Sequence, residues 1–322
     1  MRNIELERIK RIIRDNLFPA LDDDSIKTIP AIVKQLKEAR VNLDTVSSNE
    51  TNILGCVVFS KPYRCLAYFL DLGLDPFRLD NSEVGWSAAH TAAIWLHACK
   101  PALIRLMGFV FADPRFFSLE NHLGKSPSVY LLGRKPEDKE AVEEMRAIFI
   151  GYNGFHDSAK RAESLIPSDH LLAALHYFLA ANQMKTEVAD KEDDAYLKRF
   201  HLKKVMGDLR EAAEHYYQAI LIANETPVML DEFDRCLALS AKIIDFVEPD
   251  HPDIDWEIKL GNADTFRTWN EQLMLLQNWR EEKRRESFSS TGSESSVAAD
   301  DAKKEDERTA LLGELEELRF RG

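Results

Sequence analysis

Cysteines are scarce in this chain, and long apolar runs are missing. The 322 residues include four cysteines, and no two of them form a Cys-x-x-Cys pair. We therefore expect free thiols in a reducing compartment and no disulfide framework. No stretch of about 18 uninterrupted apolar residues is present, so we expect no membrane span. Because the first residues also lack the apolar core of a secretory signal, the sequence predicts a cytoplasmic protein.

Positive charge and catalytic motifs are also lacking. Asp and Glu number 55 against 42 Lys and Arg, which gives a formal net charge of −13. Such a chain repels a nucleic-acid backbone or an anionic membrane, so we expect neither as its main partner. The common phosphate-binding, dinucleotide-binding, zinc-protease and serine-hydrolase motifs are absent from the sequence. The sequence therefore predicts no cofactor and no catalytic residue, and an enzyme is the less favoured interpretation.

One acidic cluster holds possible ligands for a hard metal ion. It runs from Asp250 to Glu257 and includes His251. The cluster lacks the glycine and the ligand spacing of an EF-hand loop. We therefore interpret it as a solvated connection and predict no metal site.

The chain does contain a recurring segment. Thr51, Ser87 and Ser126 occupy equivalent places at intervals of 36 and 39 residues, each before a short apolar stretch. A serine or threonine at a helix start caps N–H groups that have no partner within the helix. A turn followed by two short helices cannot bury its apolar face alone, so such units occur in stacks. The recurrence therefore predicts a helical solenoid of three to four units.

The middle unit resembles the ankyrin repeat. The residues that match its pattern G-x-T-P-L-H-x-A-A are Gly85, Ser87, Ala88, Ala89, His90, Ala92 and Ala93. The resemblance covers residues 20–152, after an N-terminal helix over residues 1–19. It implies that His90 hydrogen-bonds the turn backbone and is not catalytic. Departures from the pattern are Arg40 and Phe111, where a glycine would end a helix, Asn49 in place of a turn glycine, and Val129 in place of the histidine.

Longer helical segments follow in the second half of the chain. A stretch of this half resembles the second part of a tetratricopeptide unit at Gly207, Asp208, Leu209, Ala212, Tyr216, Ala219 and Ile220. Only one such unit is visible, so two interpretations stay open: a tetratricopeptide-like element, or a generic antiparallel bundle with the same packing needs. In both, residues 160–286 form a C-terminal helical domain, and the chain belongs to the all-α class.

The C-terminal end is polar. Residues 287–308 are rich in serine and charge with little to bury, which predicts a disordered tail. Residues 309–322 are compatible with a short amphipathic helix, and they resemble the glutamate-rich C-terminal signals of some effectors of bacterial type IV secretion. In that resemblance Glu314, Glu316 and Glu317 carry the signal. The alternative is a solvated acidic end with no special role.

Ankyrin arrays bind proteins through their finger loops and first helices, so the resemblance implies a partner site there. Aromatic residues and arginines anchor many interfaces. The candidates are Phe77, Arg78, Asn81, Glu83, Trp86, Arg115, Phe116, Phe117, Asn121 and His122. The alternative for the phenylalanines is that they pack inward under the loops.

The expected function is binding of another protein. The chain would act as an adaptor, or as a bacterial effector secreted into a host cell by a type IV system and bound to a eukaryotic protein there. We expect a monomer. Two alternatives stay open: an enzyme with its active site in the C-terminal helical domain and an ankyrin part that selects the substrate, and a scaffold that pairs with itself through its C-terminal helix.

Overall fold

The computed structural model describes residues 2–22, 26–60, 63–96, 101–165, 169–222, 227–247 and 263–290. Within these ranges one two-stranded hairpin accompanies the helices, so the predicted all-α class is confirmed. The described residues divide into two compact units. The first contains residues up to 150 together with 186–201, and the second contains 151–185, 202–247 and 264–290.

Short helices and loops build the first unit. Helix α1 (Arg2–Arg11) continues through a π-helical turn (Ile12–Leu17) into α2 (Phe18–Asp22). The next elements are α3 (Ile29–Glu38), a 3-10 turn (Leu43–Thr45), the antiparallel strands β1 (Ser47–Ser48) and β2 (Thr51–Asn52), α4 (Ile53–Ser60), α5 (Tyr63–Asp71), α6 (Ala88–Trp95), α7 (Pro101–Leu106), α8 (Gly108–Ala112), α9 (Arg115–Ser118) and α10 (Pro127–Leu131). We name residues 39–52 loop 1, residues 72–87 loop 2 and residues 113–126 loop 3.

Long helices build the second unit. They are the C-terminal part of α11 (Pro136–Leu165), α12 (His170–Glu187), most of α13 (Ala195–Ile222), α14 (Pro227–Val247) and α15 (Ala263–Ser290). Helix α15 includes residues 287–290, which the sequence assigned to a disordered tail.

One segment of the predicted helical domain packs with the first unit instead. Residues 186–201 contain a 3-10 turn (Ala189–Lys191), and the buried side chains of Tyr196, Leu197 and Phe200 belong to the core of the first unit. A buried ion pair joins Glu192 Oε2 to Arg105 Nε at 2.9 Å. The predicted ranges, 20–152 and 160–286, place residues 186–201 in the second domain, whereas the structure places them in the first unit.

Left-handed backbone recurs where the sequence pattern expects glycine. Gly73 and Gly85 have φ angles of 84° and 69°, which glycine adopts at little cost. Arg40 and Asn49 depart from the glycine pattern and still have φ angles of 58° and 48°. Phe111 differs, because it is buried within α8, and the helix continues past it. Two of the three substituted positions therefore keep the turn geometry of a glycine.

Helix caps fix where the repeated helices begin. Ser87 Oγ accepts the N–H of His90, and His90 Nδ1 accepts the N–H of Ser87, which forms a capping box at α6. At α4 the sequence predicts Thr51 as the cap, but Thr51 pairs with Ser48 in the hairpin. Asn52 caps the helix instead, since its Oδ1 accepts the N–H of Gly55 at 2.7 Å.

His90 connects its own helix to loop 3. The side chain is fully buried. Its Nδ1 lies 2.7 Å from Ser87 Oγ, and its Nε2 lies 3.0 Å from the carbonyl oxygen of Lys125. A carbonyl only accepts, so Nε2 carries the proton and donates. The cap and the next loop therefore occupy both ring nitrogens, as expected of a structural histidine.

Backbone hydrogen bonds join each loop to the next. The N–H of Asn81 in loop 2 donates to the carbonyl oxygen of Glu50 in loop 1 at 3.1 Å. The N–H of His122 in loop 3 donates to the carbonyl oxygen of Val84 in loop 2 at 2.9 Å. The three loops therefore form one hydrogen-bonded series.

Gly207 lies within a continuous helix and not at a turn. Helix α13 passes through it without a break. A Cβ atom at Gly207 would lie 3.1 Å from the ring of Trp269, so glycine here allows α15 to pack closely on α13. The other motif residues are buried along α13: Asp208, Leu209, Ala212, Tyr216, Ala219 and Ile220.

Protonation of His90 is expected to destabilise the first unit. Burial lowers the pKa of its imidazole, against smaller opposing effects from the Lys125 carbonyl and Asp80. As the pH falls below about 6.5, the ordinary pKa of histidine, the unfolded chain binds this proton before the folded chain does. The contribution to stability is therefore complete above that pH and declines between it and the lowered pKa of the folded state.

The variant His90→Gln does not titrate at this position. Its free energy of unfolding in urea should depend less on pH between about 7.5 and 5.5 than that of the native protein. At the higher pH it should be lower by about 1 to 3 kcal/mol, because buried hydrogen bonds are lost. Equal pH slopes for the two proteins would contradict this role of His90.

Candidate functional site

A groove lies between loops 1 and 2 and the helices that follow them. Its volume is about 610 Å³. The lining residues are Phe18 of α2; Ser48, Asn49 and Thr51 of loop 1; Gly55, Cys56, Phe59 and Ser60 of α4; Asp80 and Trp86 of loop 2; and Thr91, Ile94 and Trp95 of α6. Concave sites with an apolar lining and a few polar groups are typical of binding sites.

Four aromatic side chains line the groove beside its polar groups: Phe18, Phe59, Trp86 and Trp95. Phe59 and Trp95 meet edge to face, with ring centroids 5.0 Å apart. Phe59 lies in the last turn of α4 and is 57% exposed. Trp86 is half-buried, and its ring centroid lies 5.2 Å from that of Tyr130. Rings that are held in place but still accessible are suited to anchor a protein partner.

Asp80 closes loop 2 and lines the groove. Its Oδ1 accepts the N–H groups of Ser82 at 3.2 Å and of Trp86 at 2.8 Å. Its own N–H donates to the Trp86 carbonyl oxygen at 2.7 Å. Because Trp86 directly precedes the cap Ser87, these bonds position both the tryptophan and the start of α6.

The ten loop residues predicted to bind a partner differ in how exposed their side chains are. Phe77, Phe116 and Asn121 are buried. Those that are exposed are Arg78, Asn81, Glu83, Arg115, Phe117 and His122. Trp86 is half-buried and is the member of the set that lines the groove.

The buried members support the loops from inside. The ring of Phe77 lies under the Arg115 guanidinium, 4.2 Å from centroid to Cζ. Phe116 packs edge to face against Phe111, with centroids 5.3 Å apart. Asn121 makes the hydrogen bonds that close loop 3. These three side chains are therefore not accessible to a partner, and for Phe77 and Phe116 the inward alternative is correct.

Some of the exposed residues also contact other residues of the chain. Arg115 forms ion pairs with Asp113 at 2.9 Å and with Asp75 at 3.2 Å. The Arg146 guanidinium lies 4.7 Å from the centroid of the Phe117 ring. The His122 ring covers Gly85, where a Cβ atom would come within 2.8 Å of Nε2. A role for the exposed loop side chains in partner binding stays a prediction.

A second group of polar side chains connects three helices of the second unit. Each helix contributes two residues seven positions apart, a spacing that places both on one face. These are His156 and Glu163 on α11, His170 and Tyr177 on α12, and Asp208 and His215 on α13. We name these six residues together with Tyr152 the polar seam. The predictions from the sequence do not include this group, although the spacing of seven residues within each helix is a signal of it.

Glu163 joins the exposed half of the polar seam. Its Oε1 lies 3.0 Å from His215 Nε2 and accepts the hydroxyl of Tyr177 at 2.9 Å. His170 Nδ1 lies 2.9 Å from His215 Nδ1, so one of these nitrogens donates and the other accepts. Burial, followed by the hydrogen bond to Glu163, raises the pKa of Tyr177 to about 12. The hydroxyl therefore remains a donor at neutral pH.

Asp208 joins the buried half. It is 5% exposed, and its Oδ2 accepts the Tyr152 hydroxyl at 2.9 Å. His156 Nε2 lies 2.9 Å from Oδ1, which is an ion-pair distance without the alignment of a hydrogen bond. Burial, followed by the charge of Asp208, raises the pKa of Tyr152. Since these titratable groups bond mainly to one another, we interpret the polar seam as a link between helices.

Some of the sequence predictions concern residues that the structure does not describe. The acidic cluster from Asp250 to Glu257, Cys99, and the residues Glu314, Glu316 and Glu317 lie outside the described ranges. Within those ranges no three His, Cys, Asp or Glu residues are arranged to hold a metal ion. None of the described helices combines the length and the apolar character needed to cross a membrane. The described cysteines, Cys56, Cys65 and Cys236, are free thiols.

Comparison of the chain with protein-family models, curated proteins and solved structures finds no match. The groove and the polar seam are therefore interpreted from their own geometry.

The two tyrosines of the polar seam offer a matched test of its energetics. Tyr152→Phe leaves an oxygen of the buried Asp208 without its donor, which should lower the free energy of unfolding by about 1 to 3 kcal/mol. Tyr177→Phe removes the same group from Glu163, whose side chain is 36% exposed and has access to water. Its cost should be about 1 kcal/mol or less. Urea unfolding followed by circular dichroism measures both, and equal costs would contradict the burial argument.

Proposed function

We propose that the chain is a protein-binding module of the ankyrin type and that its groove holds a segment of the partner. The observation that carries this proposal is the groove itself, in which Phe59, Trp86 and Trp95 line a concavity between two hydrogen-bonded loops. Accessible aromatic rings at the centre of a concave surface contribute most to the binding energy of many interfaces.

The repeated geometry of the loops supports the ankyrin part of the proposal. Helices α4, α6 and α10 each follow a loop that contains a left-handed turn residue: Asn49, Gly85 and Gly124. His90 donates to the next loop, as the resemblance implies. Repeats that stack in this way present their loops and first helices on one side, where the groove residues of α4 and α6 also lie.

The biological setting is proposed from the sequence. An adaptor, or an effector that a type IV system delivers to a host cell, would use such a groove to bind a protein, and the acidic chain favours a partner other than a nucleic acid. An enzyme with its active site in the C-terminal helical domain stays the alternative, and we propose no reaction for it.

Truncation of Phe59 tests the groove. Immobilised full-length protein is exposed to a eukaryotic lysate, and the recovered proteins are quantified by mass spectrometry for the native chain and for Phe59→Ala. The matched control is Leu132→Ala, which removes an exposed apolar side chain of the first unit outside the groove. Because Phe59 is mostly exposed, both variants should stay folded.

The proposal predicts a partner that is retained by Leu132→Ala and weakened roughly tenfold or more by Phe59→Ala. The Kd of that partner, measured after purification, gives the size of the loss. Recovery of the same set of proteins at the same level by all three chains would contradict the assignment of the groove as the binding site.

A further inference from the structure

Asp80 and Asn121 occupy the same place in consecutive loops. The N–H of Asn121 donates to the Lys125 carbonyl oxygen at 3.1 Å, and its Oδ1 accepts the N–H groups of Leu123 at 3.0 Å and Lys125 at 3.1 Å. Asp80 makes the same three kinds of bond within loop 2, to Ser82 and Trp86. In both loops the residue bonded in this way, Trp86 or Lys125, directly precedes the N-cap position of the next helix, which is Ser87 or Ser126.

Asp80 and Asn121 differ in the second polar atom of the side chain, which is Oδ2 in Asp80 and Nδ2 in Asn121. Asn121 Nδ2 donates to the hydroxyl of Tyr130 at 3.0 Å. Asp80 Oδ2 is buried and has no hydrogen-bond partner among the described residues. Loop closure therefore uses one acceptor oxygen, which an asparagine supplies equally well. The negative charge at Asp80 is not needed for the shape of the loop.

A buried carboxylate oxygen without a donor destabilises the free protein. Leaving such a group unsatisfied costs about 1 to 3 kcal/mol, and more when it is charged. A side chain that is 7% exposed gains little from water, so a donor brought by a ligand would stabilise it. Asp80 lines the groove, so a ligand bound there lies against this residue.

The surroundings favour a positively charged donor. Asp80 is the charged residue among the described lining of the groove, which otherwise consists of apolar and neutral polar side chains. The exposed carboxylates of Glu50 and Glu83 lie on the same two loops. Arg78 is exposed on loop 2 but is not a lining residue. The groove would therefore offer a cation an unsatisfied carboxylate together with aromatic rings, which also attract cations.

We propose that the groove selects a partner segment with a basic side chain, a lysine or an arginine, flanked by apolar residues. The basic group donates to Asp80 Oδ2, and the flanking residues contact Phe59 and Trp95. This inference rests on the proposed function, because it assumes that the groove is the binding site. It adds the chemical class of the ligand and names Asp80 as the residue that recognises it.

A peptide selection tests the inference without knowledge of the natural partner. Random dodecapeptides displayed on phage are selected on the full-length protein, and the recovered peptides are synthesised. Their Kd values are measured by fluorescence anisotropy with the native chain, Asp80→Asn, Phe59→Ala and Glu144→Gln. Glu144 is an exposed acid of α11 outside the groove, so its variant controls for the loss of one negative charge.

The selected peptides should be enriched in lysine or arginine beside apolar residues. Asp80→Asn keeps the acceptor that closes loop 2 and should melt at the same temperature as the native chain or higher. It should weaken binding about tenfold or more, the loss expected for a hydrogen bond between charged groups. Replacing the basic residue of the peptide by methionine should cost a similar factor with the native chain and little with Asp80→Asn. Glu144→Gln should change the Kd by less than about twofold.

The outcomes separate the two proposals. If Phe59→Ala abolishes binding but Asp80→Asn binds as the native chain does, or if the peptides show no basic enrichment, the role of Asp80 is wrong and the groove remains. If the selection yields no peptide that Phe59→Ala weakens, both the groove and its preference for a basic ligand are wrong.

Discussion

The hydrogen bonds between consecutive loops are the constraint on which the first unit depends. Asn81 donates to the carbonyl of Glu50, His122 to that of Val84, and the ring of His90 to loop 3. Apolar side chains of each loop pack in the core, among them Leu43, Phe77 and Phe116, and the backbone bonds add direct links between one loop and the next. The links hold loops 1 and 2 at a fixed separation and so define the groove between them.

The same links decide which side chains remain for a partner. Loop residues with the best composition for binding are used to build the loops: Phe77 and Phe116 fill the interior, and His122 packs on Gly85. Among the aromatic residues that line the groove, Phe59 is exposed and Trp95 is half-buried, and both lie on helices. The candidate binding surface is therefore the space that the loops enclose and not the loop tips.

The sequence was sufficient for features that depend on local chemistry. The helical class, the cap at Ser87, the left-handed turn at Gly85 and the structural use of His90 all follow from neighbouring residues. It was insufficient where distant segments meet. Nothing local distinguishes the inward Phe116 from the outward Phe117, and the polar seam joins helices that only tertiary packing brings together. The unpaired oxygen of Asp80 is likewise visible only when both loops are compared in three dimensions.

Amide hydrogen exchange at Asn81 and His122, resolved by NMR, tests the central claim that the loops are bonded in series. Glu83 is the internal control, because it lies on loop 2 and its N–H makes no hydrogen bond among the described residues. The amides of Asn81 and His122 should exchange nearly as slowly as those of α6, while the amide of Glu83 should exchange as an open loop does. Exchange of all three amides at the rate of an open loop would contradict this claim.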